Sequence, residues 1–205
     1  MVKIKICGIT NLGDALSCVK AGCDALGFVF YRKSRRYISP IKAKLIAEEL
    51  PRGIIKIGIF VNAREKTIKR IAKVCRLDML QFHGDESPEF CLRFKGYKVI
   101  KAFRIKDKVD LGRISRYRVS AYLFDTFSGS KMGGTGRRFD WGLLSGVKGS
   151  IFLSGGLTKE NVRMAIKLIS PSWVDVSSSV EVSPGKKDFR KVKQFISQVR
   201  KNQSG

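Results

Sequence analysis

The chain has 205 residues, with 41 Lys plus Arg against 17 Asp plus Glu and a formal net charge of +24. A folded chain of this length removes roughly 70% of its unfolded surface from water, and 43% hydrophobic residues with 13 Phe exclude a disordered polycation. The basic excess therefore belongs on a globular surface and points to anionic partners: nucleic acid, an acidic membrane face, or small phosphorylated or carboxylated ligands.

The chain opens on a β-type run at residues 3–7. A helical segment follows, with Thr10 as N-cap, Leu12, Ala15, Leu16 and Val19 on one face, and Gly22 at its C-terminal end. Further β-type runs occupy residues 25–30, 54–61, 78–82, 98–103, 121–125, 150–154 and 173–176, with segments of helical period or turn composition between them. The shortest helical patterns are 109–118 and 141–144. Thr158 caps a helix carrying Val162, Ala165, Ile166 and Ile169. The last helix turns Phe189, Val192, Ile196 and Val199 inward and places Lys186, Lys187, Arg190, Lys191 and Lys193 mostly on its other faces.

Strict β-then-α alternation implies parallel strands joined by right-handed crossovers, in an open doubly wound sheet or a closed barrel. Eight units in this length predict a single-domain α/β protein spanning residues 1–205, a compact (β/α)8 TIM barrel. Strand starts at 3, 25, 54 and 78 recur 95 residues later at 98, 120, 149 and 173, a sign of two similar half-barrels. No apolar run suits a signal peptide or a spanning helix, so a soluble, cytoplasmic protein is expected.

In such a barrel, chemistry belongs at the C-terminal ends of the strands and in the loops that follow. Cys7 ends the first strand, Arg36 lies after the second, Gln81 and His83 end the fourth, and Asp125 ends the sixth. Ser154-Gly155-Gly156-Leu157 after the seventh strand, and Asp175 to Ser179 after the eighth, lie where barrels hold phosphate. Gly155-Gly156 can also be a plain tight turn, and Gly133-Gly134-Thr135-Gly136 either a lid or a loop. Cys7 reads as a base if cations favour its thiolate, with Lys5 on the same strand face as the nearest helper, or as a small buried apolar residue. That second role is also the reading for Cys18, Cys23, Cys75 and Cys91. The cysteine number is odd and contains no Cys-x-x-Cys pair, so neither a disulfide framework nor a zinc site is indicated. Asp125 follows an apolar run and suits a general acid or a helix cap. His83 is the only histidine, which excludes a multi-histidine metal site and leaves a substrate hydrogen bond or a structural role. Arg36 ends Arg32-Lys33-Ser34-Arg35-Arg36 and can pair with a ligand carboxylate, sit in a solvated loop, or track a nucleic-acid backbone.

Lys5-Ile6-Cys7-Gly8-Ile9-Thr10, Ala25 to Phe30, Ser34 to Pro40, Gln81-Phe82-His83-Gly84, Gly133 to Gly136, Phe139-Asp140-Trp141, Ser154 to Leu157 and Asp175 to Ser178, in this order, resemble the phosphoribosylanthranilate isomerase family over essentially the whole chain. The resemblance implies an Amadori rearrangement of N-(5-phosphoribosyl)anthranilate in tryptophan biosynthesis. In that reading Asp125 is the acid, Cys7 the base and Arg36 the holder of the anthranilate carboxylate. Gly155, Gly156, Ser177, Ser178 and backbone near Asp175 hold the phosphate, while Gln81 and His83 face the substrate. Neither metal nor organic cofactor is implied, since the substrate's own imine nitrogen takes up electrons. The partner is then a small anionic substrate, with no specific nucleic acid, no membrane, and a monomer or homodimer as the assembly. The alternatives are the related aminoaldose isomerase of histidine biosynthesis, which uses paired aspartates, and a basic nucleic-acid-binding barrel. One departure stands out: where the family has glycine, this chain has Ser179. A left-handed backbone there would cost roughly 1–2 kcal/mol.

Overall fold

The computed structural model describes residues 1–126 and 140–201. Eight strands, β1 (Lys3–Cys7), β2 (Ala25–Val29), β3 (Ile55–Phe60), β4 (Met79–Phe82), β5 (Lys98–Ile105), β6 (Ala121–Thr126), β7 (Ile151–Leu153) and β8 (Trp173–Val176), form a closed parallel barrel in sequence order. The ring closes between β1 and β8, where Ile4 faces Val174 and Lys5 faces Asp175. The helices are α1 (Leu12–Ala21), α2 (Pro40–Glu49), α3 (Glu65–Val74), α4 (Pro88–Cys91), α5 (Leu111–Ser115), α6 (Val162–Ile169) and α7 (Phe189–Lys201), with a 3-10 turn at Trp141–Leu144. The expected TIM barrel is thus the observed one. Strands β5 to β8 begin 95, 96, 96 and 94 residues after β1 to β4, so the half-barrel repeat holds to within one residue.

Strand alternation divides the apolar residues into two layers. One side of each strand packs against the helices and includes Ile4, Ile6, Leu26, Phe28, Phe60, Leu80, Phe82, Phe124 and Val174. The other side fills the lumen with Ala25, Ile57, Ile59, Met79, Ile100, Leu123, Phe152 and Trp173. Phe152 and Trp173 stack at 4.7 Å between centroids, closing the N-terminal half of the barrel with apolar bulk. The lumen becomes polar only toward the C-terminal ends, where Lys5, Gln81, Asp125 and Asp175 are all buried.

Several local expectations are corrected. Asn11, not Thr10, caps α1 by accepting from Asp14 N at 2.8 Å, because the Thr10 hydroxyl donates to Gly185 O. That helix buries Ala15 and Cys18, while Leu12 and Leu16 are exposed. Thr158 accepts from Glu160 N in a turn that precedes α6, which starts only at Val162. In α7 it is Phe195, not Phe189, that joins Val192, Ile196 and Val199 inside. The largest correction concerns Lys186 and Lys187. They lie in a hairpin of β9 (Glu181–Ser183) and β10 (Lys186–Lys187), turned by Pro184 and by Gly185 at φ +84°, and Lys187 is buried.

Behind β5, Lys101 forms a buried ion pair with Glu86 at 2.9 Å and donates to Gly84 O at 2.6 Å. Glu86 in turn accepts from Asn62 N at 2.8 Å and Gly84 N at 3.0 Å, fixing the loops after β3 and β4. Among the described residues no helix is long and apolar enough to cross a membrane.

Removing one member of a buried pair strands the other charge, whereas an exposed pair contributes little. Lys101→Met is therefore expected to lower the free energy of unfolding by about 3–5 kcal/mol. Lys56→Met, which breaks the half-exposed pair with Asp78 at 2.8 Å, is expected to cost under about 1 kcal/mol. Urea denaturation of both variants checks the contrast.

Candidate active site

Cys7 ends β1 half-buried at the rim of the lumen. Its carbonyl accepts from Ser177 Oγ at 3.0 Å and from Lys187 Nζ, so two residues that follow β8 hold the end of β1. Gly27 across the ladder leaves room for the sulfur: a Cβ there would stand 3.0 Å from Cys7 Sγ. Lys5, one turn of the pleat below, donates to Gln81 Oε1 and to Asp175 Oδ2, each at 2.8 Å.

Lys5 does face Cys7, and Lys187 and Arg36 add positive charge that was not anticipated. Even so, burial pushes the Cys7 thiol above its ordinary value of 9.0, with Lys5, Lys187 and Arg36 pulling against it. Desolvation wins because the sulfur loses water on most sides while the cations are already shared with Asp175 and Glu181. Burial works against the charge of Lys5, but Asp175 and Cys7 carry its pKa above 10.5, so it remains an ammonium. The other cysteines are inert by the same physics: burial pushes Cys18 up to about 12 and Cys75 and Cys91 up to about 11.

Across the lumen, Asp125 near the end of β6 accepts from Thr126 N at 2.9 Å, and its Oδ2 lies 3.5 Å from His83 Nε2. His83 Nδ1 lies 2.9 Å from Gln81 Nε2. Gly155 packs against this carboxylate at φ +80°, where a Cβ would collide with Thr126 and come within 3.0 Å of Asp125 Oδ1. Glycine is required there by crowding and by backbone conformation together. The run Gly133 to Gly136 and Phe139 lie outside the described residues.

Arg36 is the one member of its basic run that turns inward far enough to meet a buried partner; Arg32, Lys33 and Arg35 are exposed. Its guanidinium grips Glu181 bidentately, with Nε 2.9 Å from Oε1 and Nη2 2.7 Å from Oε2. Lys187 Nζ donates to the same carboxylate at 2.8 Å. Burial works against ionisation of Glu181, but hydrogen bonds from Arg36 and the charge of Lys187 hold its carboxyl below the usual 4.5. Gly8, at φ +81°, leaves space for Arg36: a Cβ would stand 2.5 Å from its Cδ.

The loops after β7 and β8 meet beside this cluster. Gly155 and Gly156 both have positive φ, and Asn161 Nδ2 pins Gly156 O at 2.8 Å. Ser177 and Ser178 lead into a 3-10 turn, Ser178–Val180. The Asp175 side chain is buried in the lumen on Lys5, which leaves only its backbone to the loops. Ser179 is not left-handed, so no backbone strain arises. Its hydroxyl donates to Leu157 O at 2.6 Å and ties the two loops together.

The strand-end residues named from sequence thus converge: Cys7, Gln81, His83, Asp125 and Asp175 line one end of the lumen, with Arg36, Gly155, Gly156, Ser177 and Ser178 in the loops around it. Sequence reasoning missed Glu181 and Lys187. The signal was present in Ser183-Pro184-Gly185, a turn that breaks the basic run away from the helix. Among the described residues no three or more His, Cys, Asp or Glu side chains converge as metal ligands. What the end of the barrel offers is a thiol and a carboxylate on separate strands of the ring, with an oriented guanidinium beside two glycine- and serine-rich loops. That is equipment for moving protons on an anionic ligand.

Residues 4–198 match the family model described as N-(5'phosphoribosyl)anthranilate (PRA) isomerase. The chain is 49% identical over 203 residues to the N-(5'-phosphoribosyl)anthranilate isomerase of Citrifermentans bemidjiense, covering 98% of each chain. It superposes with a TM-score of 0.92 on the crystal structure of phosphoribosyl anthranilate isomerase from Thermotoga maritima, at 45% identity over 98% of this chain and 100% of that one. A further structure, of a phosphoribosyl anthranilate isomerase in complex with reduced 1-(o-carboxyphenylamino)-1-deoxyribulose 5-phosphate, is similar with a TM-score of 0.88 at 43% identity, covering 98% of this chain and 100% of that one.

The lowered carboxyl of Glu181 contributes stability that is present above the unfolded value of 4.5 and is lost as the pH falls through the lower, folded value. Glu181→Gln is therefore expected to have a lower urea midpoint than wild type at neutral pH, with the gap narrowing as the pH drops below 4.5. A gap that stays constant into acid would refute the assignment.

Proposed function

The chain belongs to the N-(5'-phosphoribosyl)anthranilate isomerase family, and we propose that Cys7 and Asp125 divide the acid–base work of its reaction. That reaction is the Amadori rearrangement of N-(5-phospho-β-D-ribosyl)anthranilate to 1-(2-carboxyphenylamino)-1-deoxy-D-ribulose 5-phosphate, a step in tryptophan biosynthesis. Asp125 gives a proton to the ribose ring oxygen as the C1′–O bond breaks, and the anthranilate nitrogen lone pair forms the C1′=N iminium. Cys7, as thiolate, removes the C2′ proton, and that electron pair moves through C1′ onto nitrogen to give the enolamine. A proton returns to C1′ as the C2′ hydroxyl loses its own, leaving the ketone. The substrate's nitrogen is the electron sink when the C2′ proton leaves, and it returns the pair as C1′ is protonated.

The observation that carries this reading is the placement of a thiol and a carboxylate on β1 and β6, at the strand ends of one lumen. Two separate groups suit a reaction in which one atom receives a proton and a different atom loses one. Arg36, with one edge held by Glu181, presents its other edge to the anthranilate carboxylate. Gly155, Gly156, Ser177 and Ser178 supply short, backbone-rich loops for the phosphate. Gly155 also brings that loop against Asp125, so phosphate binding and acid placement share one glycine. A small anionic substrate and a cytoplasmic workplace complete the proposal.

Cys7→Ser and Asp125→Asn are each expected to lower kcat by about 10²–10⁴-fold with circular dichroism unchanged. The assay is loss of phosphoribosylanthranilate fluorescence, and near-normal turnover in both variants would sink the mechanism. Because burial raises the Cys7 thiol above 9.0, the thiolate is a minor species near neutrality. The value of kcat/KM is then expected to climb as pH rises from 7 toward 9, and a flat profile across that range contradicts a thiolate base.

A further inference from the structure

The polar contacts that lead from Lys5 to Asp125 run in one direction only. An ammonium has three donors and no acceptor. That of Lys5, fully buried, donates to Asp175 Oδ2 and to Gln81 Oε1, with Cys7 on the same strand face. Since Lys5 claims the amide oxygen, Gln81 must turn its NH2 group toward His83, where Nε2 stands 2.9 Å from Nδ1. Two donors cannot share that contact, so Nδ1 presents its lone pair and the ring proton resides on Nε2. Nε2 is the atom that faces Asp125 Oδ2, at 3.5 Å.

We propose that Lys5 is a positioning residue for the acid half of the acid–base pair, fixing His83 through Gln81 in the Nε2–H tautomer that faces Asp125. Gln81 and His83 then belong to the proton-transfer apparatus and are not primarily substrate contacts. Once Asp125 has given up its proton, the Nε2–H bond is already aimed at the carboxylate that remains, and the 3.5 Å contact tightens as charge develops. An amide at position 81 is needed for this. A carboxylate there would accept from Lys5 and from His83 alike, drawing the ring proton to Nδ1 and turning a lone pair toward Asp125. The charged group that faces the ring is Asp125 from β6, with Lys5 from β1, paired to Asp175 of β8, behind Gln81. The catalytic consequence rests on the proposed role of Asp125. The tautomer does not, so the two ideas fail separately.

The chain's single histidine makes the test direct, because imidazole nitrogen signals of protein labelled with ¹⁵N-histidine come from His83 alone. In wild type, a protonated Nε2 and an unprotonated, hydrogen-bonded Nδ1 are expected. Gln81→Glu is expected to protonate Nδ1, and Gln81→Leu to give the averaged signals of two interconverting tautomers. Both variants are expected to lower kcat by on the order of a hundredfold, with KM changed by less than about threefold. Lys5→Met is expected to resemble Gln81→Leu, and Gln81→Leu carries the test alone if loss of Lys5 prevents folding. Wild-type signals from a protonated Nδ1, or signals unmoved by Gln81→Glu, would overturn the proposal. So would a switched tautomer with undiminished kcat. Normal turnover in Asp125→Asn with the expected wild-type tautomer would overturn only the role of Asp125.

Discussion

An ammonium sealed inside the barrel sets the terms for everything above it. Lys5 sits where β1 meets β8, and its pair with Asp175 at 2.8 Å spans the seam that closes the ring. A buried cation is tolerable only if each of its protons finds an acceptor. Its acceptors Gln81 and Asp175 come from β4 and β8, so closing the barrel and ordering its polar end are one event. The apolar plug of Phe152 and Trp173 keeps that charge isolated from the opposite end of the lumen.

Much of this was legible in the chain. Strands buried on both faces read as short continuous apolar runs, and amphipathic or turn segments separate them, so the eight-fold count survives errors of a residue or two at each end. Cys7, Gln81, His83 and Asp125 were legible because a barrel places strand ends in one ring. Partnership was harder to read. The acceptor of Lys5 lies 170 positions away, a separation that periodicity cannot bridge. Lys187 was misread for a local reason: it stands in a basic run beside a helix, and only its neighbours in space show that it is needed inside. Whether Ser179 carries strain was not legible, because no residue type fixes a backbone angle by itself.

The charge of +24 now divides by location. The cations nearest the site are already committed: Lys5 to Asp175, Arg36 and Lys187 to Glu181. Elsewhere Arg52, Arg76, Lys95, Lys98, Arg118 and Lys148 are exposed in the segments that lead into strands, at the opposite end of the barrel. Those six add charge at the face away from the site, whereas the exposed Arg32, Lys33 and Arg35 after β2 lie on the strand-end face.

The hairpin after β8 joins the two extremes of the chain, since Lys187 holds the carbonyl of a residue 180 positions before it. During synthesis the first strand leaves the ribosome long before that lysine has been translated. Until then the cysteine loop lacks its clamp, Arg36 lacks the carboxylate that aims it, and Lys5 lacks Asp175. The half-made enzyme has its thiol but not the surroundings that would organise it. Contacts of such long range are also the last to be repaid in folding, so a competent site marks a chain that has been both fully translated and fully closed.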